Sequence, residues 1–159
     1  MRFGTKYIPK KVKDIKPIYN GTNQRISKKE DLIDIVEEPC LKACEKLFEM
    51  NIETIDSGCN GENSPNRAYI IINYDALDLA NKLIAGKMVY QGLATFFKKD
   101  EKCIRSLQNR LEIQIKTSPD DKVSDVETKL CNLVQQFKPQ QKIKNRININ
   151  KLISIKNIR

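Results

Sequence analysis

The run AYIIINY at 68–74 is the feature that most constrains the fold. It is β-branched and aromatic almost throughout, bounded by polar residues, and too short for a core helix, so it reads as a strand buried in a sheet. A second strand follows from RLEIQIKT at 110–117, where Leu111, Ile113 and Ile115 alternate with Glu112, Gln114 and Lys116. That period of two puts one apolar edge on a core and one polar edge on solvent. IETI at 52–55 and LATFF at 93–97 read as further short strands, and the charged KKDEK between LATFF and CIRSL (103–107) suits a hairpin connection.

Helix signals separate these strands. Ser27 and Glu30 form an S-x-x-E capping box ahead of DLIDIV. Pro39 fits the first turn of PCLKACEKLFEMN, where Leu41, Cys44, Leu47 and Phe48 share a face and Asn51 closes the helix. Asp75 is placed to cap ALDLANKLIAGKM, with Leu77, Ala80, Ile84 and Met88 as its stripe. Ser118-Pro119-Asp120-Asp121 opens a last helix whose apolar face is Val126, Leu130, Leu133, Val134 and Phe137, and Lys138-Pro139 ends it. SGCNGENSPNR at 57–67 reads as a polar loop.

The order predicts an α+β two-layer sandwich, α-β-β-α-β-β-α, with an antiparallel or mixed sheet and its helices on one face. A parallel sheet is disfavoured because neither strand pair encloses a helical crossover. The α-β-β unit occurs twice, without residue identity between the halves.

Charge divides the 159 residues into three parts. Residues 1–30 carry nine bases against two acids, a net of +7; 138–159 carry seven bases and no acid, also +7. Residues 31–137 sit at −5, so an acidic domain lies between a basic N-terminal arm and a basic C-terminal arm. Such arms can reach a polyanion that the body repels. The N-terminal arm has Pro9, Pro17 and Asn20-Gly21 and no helical period, which reads as extended, and its Phe3, Tyr7 and Tyr19 lie among lysines. Those rings either stack bases or pin the arm to the body. In the C-terminal arm Ile147, Ile149, Ile153 and Ile155 recur at alternate positions, the pattern of an edge strand able to pair with another sheet, and an amphipathic helix matches less well. Lys outnumbers Arg 22 to 7 and Ile and Asn are abundant, as AT-rich coding sequence dictates, so part of the lysine reflects genome composition.

The absence of histidine removes Ser/His/Asp and Cys/His catalysis and every His-containing metal site. The five cysteines, Cys40, Cys44, Cys59, Cys103 and Cys131, are odd in number and include no second close pair. They read as reduced thiols in an intracellular, cytoplasmic protein, with no metal and no cofactor. Phosphate-loop, dinucleotide-binding, RNA-recognition, KH and zinc-finger signatures are all missing.

The leading expectation is a small non-enzymatic binding protein that contacts nucleic acid or a ribonucleoprotein through Lys10, Lys11, Lys13, Lys16, Lys142, Lys144, Arg146, Lys151, Lys156 and Arg159. Its acidic body would make protein contacts. The alternative is a protein-directed inhibitor or adaptor, of the kind a mobile element or phage uses on a host complex, acting through the 57–67 loop or the C-terminal strand. A third reading, a thiol- or carboxylate-dependent enzyme, centres on Asp56, Ser57, Cys59, Asn60, Glu62 and Arg67. None of the three readings involves a membrane.

Overall fold

The computed structural model describes residues 9–18, 28–61, 64–100 and 108–142. The isoleucine run lies in β2 (Ser64–Asn73), which pairs with β1 (Thr54–Gly61) on one side and β4 (Arg110–Lys116) on the other, while β3 (Ala94–Phe97) pairs with β4. All three pairings are antiparallel and the order is β1-β2-β4-β3. The register sets Ala68 opposite Ile115, Ile70 opposite Ile113 and Ile72 opposite Leu111, so one sheet face is apolar across both central strands. Each α-β-β unit contributes its second strand to the centre and its first to an edge.

Three helices cover that apolar face: α1 (Glu38–Glu49), α2 (Leu79–Tyr90) and α3 (Val123–Val134). α1 packs on α3 and on β1 and β2, α3 also touches β4, and α2 lies beside β3. Ala43 and Leu47 from α1, Ala85 and Met88 from α2, and Val126, Leu130 and Val134 from α3 join Ile70, Ile72, Leu111 and Ile113 in one core. Burying each large side chain contributes about 1.5–3 kcal/mol. The chain is thus an α+β two-layer sandwich with an antiparallel sheet.

Local signals explain the ends of α1. Pro39 sits in its first turn, and Asn51 adopts φ +62° just past its end. There Asn51 N–H donates to the Phe48 carbonyl (3.0 Å) and Ile52 N–H to the Leu47 carbonyl (2.9 Å), a Schellman closure.

Several expectations are corrected. The 57–67 stretch is not a loop but most of the β1–β2 hairpin, with β1 running through Gly61 and β2 starting at Ser64. Its glycines and asparagines are strand residues because pairing accommodates them. Tyr69 lies opposite Gly58, and a Cβ on Gly58 would come within 2.9 Å of its ring. Asn60 and Asn66 absorb the local twist in left-handed conformations, φ 53° and 59°. DLIDIV forms a short 3₁₀ helix, Lys29–Asp34, in which the Asp31 carboxylate accepts from Lys28 N–H at 3.2 Å; Ser27 lies outside the described residues. Asp78, not Asp75, caps α2, accepting from Asn81 N–H at 2.9 Å. Asp75 instead accepts two bonds from Asn109, at 2.8 and 3.0 Å. Among the described residues β4 is the strand that pairs with β3, and CIRSL lies outside them.

The packed body also reaches beyond 31–137 at both ends. Val12 is buried in the core, and the backbone beside it is held by Val12 N–H to the Asp121 carbonyl (2.8 Å) and Val123 N–H to the Lys10 carbonyl (2.9 Å). Past α3, Phe137 is buried and the chain continues to Gln140, whose side chain is buried and fully hydrogen-bonded.

Candidate functional site

The strand period decides where the candidate residues of 56–67 point. Ser57 and Cys59 pair with Ile70 and Ala68 on the core side, whereas Asp56 lies opposite Ile71 on the other face, where Tyr69 and Arg67 also emerge. Asp56 and Arg67 therefore come together, through Tyr69. The Tyr69 hydroxyl donates to Asp56 at 3.4 Å, and the Arg67 guanidinium lies 4.7 Å from the Tyr69 ring centroid. Arg67 also pairs with Glu112 at 3.0 Å and donates to Gln114 at 2.7 Å. Burial pushes the Tyr69 hydroxyl up to about 12, so it stays protonated at neutral pH. These polar groups partner one another on the sheet face opposite the helix-packed one.

Cys59 is not an accessible nucleophile. It is buried, its backbone N–H donates to the Glu37 carboxylate at 3.2 Å, and burial pushes its thiol up to about 11. Nearby in the core, burial raises Cys44 to about 12 against an opposing hydrogen bond from Ser57, and holds Cys40 well above the usual thiol range. A thiol of this kind is almost wholly protonated at neutral pH and unreactive. Asn60 accepts from Asn66 N–H at 2.9 Å, a turn contact. Glu62 lies outside the described residues. Among the described residues no group of three His, Cys, Asp or Glu is arranged to hold a metal ion.

The basic residues divide as well. Lys10 meets Glu38 at 2.6 Å, Lys13 meets Asp120 at 2.9 Å, and Lys29, near the end of the arm, meets Glu49 at 2.8 Å. Lys10, Lys13 and Lys29 thus lie against acids of the body. Lys11 bridges through its backbone to Lys122, and Lys16 is exposed. At the other end Lys142 is exposed, while Lys144, Arg146, Lys151, Lys156, Arg159 and the alternating isoleucines lie outside the described residues.

A buried clasp fastens the start of the C-terminal segment to the body. The Gln140 side chain donates to the Asn51 and Ala76 carbonyls, each at 3.0 Å, and accepts from Asp78 N–H (3.0 Å) and the Asn81 side chain (2.9 Å). Asn81, buried on α2, also accepts from Lys138 N–H at 2.8 Å and donates to the Lys138 carbonyl at 2.9 Å. The basic segment is therefore rooted at the start of α2. Nothing in the sequence marked Asn81 or Gln140, since an amide on a helix or after a proline reads as a surface residue.

Of the expected stripe, Leu77 and Met88 are buried and Ile84 packs against the core; α2 also buries Asn81 and Ala85 and leaves Leu79, Leu83 and Tyr90 exposed at 74%, 69% and 92%. Ala80, expected on the buried stripe, is exposed. Among the described residues no helix is long and apolar enough to cross a membrane.

Compared with known proteins, the chain matches no family profile, no curated protein and no solved structure.

Proposed function

We propose that this is a non-enzymatic binding protein that grips nucleic acid, free or within a ribonucleoprotein, through its basic C-terminal segment, while the body makes protein contacts. The observation that carries the reading is the contrast between the two basic ends. Lys10 and Lys13 are matched by Glu38 and Asp120, so their charge is largely answered within the molecule. Residues 138–159 hold seven bases and no acid, and the segment is fastened to the body at Gln140. A run of lysines favours phosphates without reading bases, because phosphate contacts position a protein but do not specify sequence. Buried, protonated thiols and the absence of histidine argue against the enzymatic reading. A cytoplasmic setting fits the free state of the four described cysteines.

The test is fluorescence anisotropy of labelled duplex and single-stranded oligonucleotides with the full chain at about 50 mM salt. The expected result is binding without marked sequence preference. It is lost when Lys142, Lys144, Arg146, Lys151, Lys156 and Arg159 are replaced together by Gln, and kept in the Lys10→Gln, Lys13→Gln double variant. No binding by the unaltered chain would overturn the reading.

A further inference from the structure

Gly86 stands inside α2, past its middle, and nothing in the described body calls for it. Glycine is the poorest helix former after proline, and inside a helix it usually makes room for a close neighbour. Here a Cβ built on Gly86 would meet nothing outside its own helix within 4 Å. The room it makes faces solvent. At about 100° per residue, Leu79, Leu83, Gly86 and Tyr90 fall on one line along α2, directly opposite the side that buries Asn81, Ala85 and Met88. All four are exposed. A large apolar seam left in solvent marks a place that something covers, and the spacing of four, three and four residues is that of the seam between two packed helices.

The sizes along the seam select a second copy of the same helix. Set antiparallel about the point between residues 84 and 85, Leu79 of one copy faces Tyr90 of the other, and Leu83 faces Gly86, a knob over a hole. Each pair occurs twice, as a two-fold contact requires. The lysines do not oppose this arrangement. Lys82 and Lys87 lie about 70° to either side of the seam, and in an antiparallel pair each flank meets the same flank of the other copy. Lys82, its ammonium turned toward the Tyr74 ring at 5.5 Å, therefore comes beside Val89 of the other copy, and Lys87 beside Ala80. Leu79, Leu83, Val89 and Tyr90 expose roughly 400–500 Å² per copy, so a pair buries roughly 900 Å². That area is small for a specific interface and makes the association weak and concentration-dependent. We propose that two copies of this chain pair through α2, antiparallel, with Leu83 of each seated over Gly86 of the other. This surface stands apart from the nucleic-acid grip, which uses other residues at the C-terminus.

The experiment is sedimentation velocity of the full chain from micromolar to millimolar concentration, after nuclease treatment so that shared nucleic acid cannot bridge two copies. The expected result is a monomer at the dilute end and a dimer at the concentrated end. Gly86→Gln fills the hole and weakens dimerisation about tenfold or more. At a dilution where the chain is monomeric the same substitution raises the thermal midpoint by about 2–4 °C, because a better helix former replaces glycine. A glycine needed by the fold itself would give the opposite sign. Leu79→Lys and Tyr90→Glu each prevent dimerisation alone, and the two variants pair with one another when mixed, because Leu79 of one copy faces Tyr90 of the other. The variant neutralised in the C-terminal segment still dimerises, which separates this surface from the nucleic-acid reading. A chain that stays monomeric throughout overturns the proposal and leaves the seam to a helix of another protein. Dimerisation indifferent to Gly86→Gln, or failure of the two variants to pair on mixing, overturns it as well.

Discussion

Replacing Gln140 by Ala removes the centre of the clasp that roots the C-terminal segment. Four hydrogen bonds go at once: two donated by its Nε2 to the Asn51 and Ala76 carbonyls and two accepted by its Oε1 from Asp78 N–H and Asn81. At about 0.5–1.5 kcal/mol net for each bond, the loss spans roughly 2–6 kcal/mol. Asn81 keeps its bond to Lys138, and water entering the vacated site can reach the remaining groups, which places the expected value near 3 kcal/mol. Urea unfolding of the full chain is the assay. With a slope of about 2 kcal/mol/M the midpoint falls by about 1.5 M. Gln140→Glu keeps the shape but sets a carboxylate against two carbonyls, so at neutral pH it is destabilised too, and it recovers as the carboxyl is protonated. A midpoint shift under about 0.3 M for Gln140→Ala would refute the argument that the amide network holds the segment.

Other outcomes follow from the same packing. Thiol reagent on the folded chain leaves Cys40, Cys44 and Cys59 unmodified at neutral pH, and denaturation exposes all five sulfhydryls; rapid labelling of Cys59 in the folded state would contradict its burial. The folded-state thiols of Cys59 and Cys44 stand at about 11 and about 12, above their ordinary value of 9.0. Their contribution to stability is therefore intact below about pH 9 and is lost as pH rises toward 11–12, so the thermal midpoint declines across that window. Gly58→Ala drives a Cβ into the Tyr69 ring, and costs about 1–3 kcal/mol with a changed tyrosine near-ultraviolet dichroism; an unchanged melt and spectrum would show the ring free to move. Arg67→Ala leaves the buried Glu112 carboxylate without its guanidinium, and with Arg67 partly exposed the expected loss is about 1–2 kcal/mol; adding Glu112→Gln restores most of it.

What the sequence discloses depends on whether local chemistry or distant contacts decide the outcome. The isoleucine run, the alternation of RLEIQIKT, Pro39 and Asn51 act through neighbours in the chain, and the element order and two-layer α+β fold follow from them. The 57–67 stretch misleads because Gly and Asn favour turns, while the Tyr69 ring over Gly58 stabilises a strand from across the sheet. Val12 sits in a proline-flanked run with no period, and only its contact with the α3 end shows it to be core. The period of α2 picks out Leu77, Ile84 and Met88 but misses buried Asn81, whose amide is matched by Lys138 and Gln140 from a distant part of the chain. Of the candidate site, Asp56 and Arg67 do meet on one face, but the pairing of Lys13 with Asp120, 107 positions away, was beyond any reading of composition.

The most direct test of the central claim is the salt dependence of nucleic-acid binding by the full chain. If the six bases from Lys142 to Arg159 meet phosphates, the slope of log affinity against log salt is about −5 on duplex and about −4 on single strands. That slope is expected unchanged in the Lys10→Gln, Lys13→Gln variant and close to zero when the six C-terminal bases are neutralised. A slope that survives their neutralisation, or one that drops by about 2 when Lys10 and Lys13 are replaced, would contradict it.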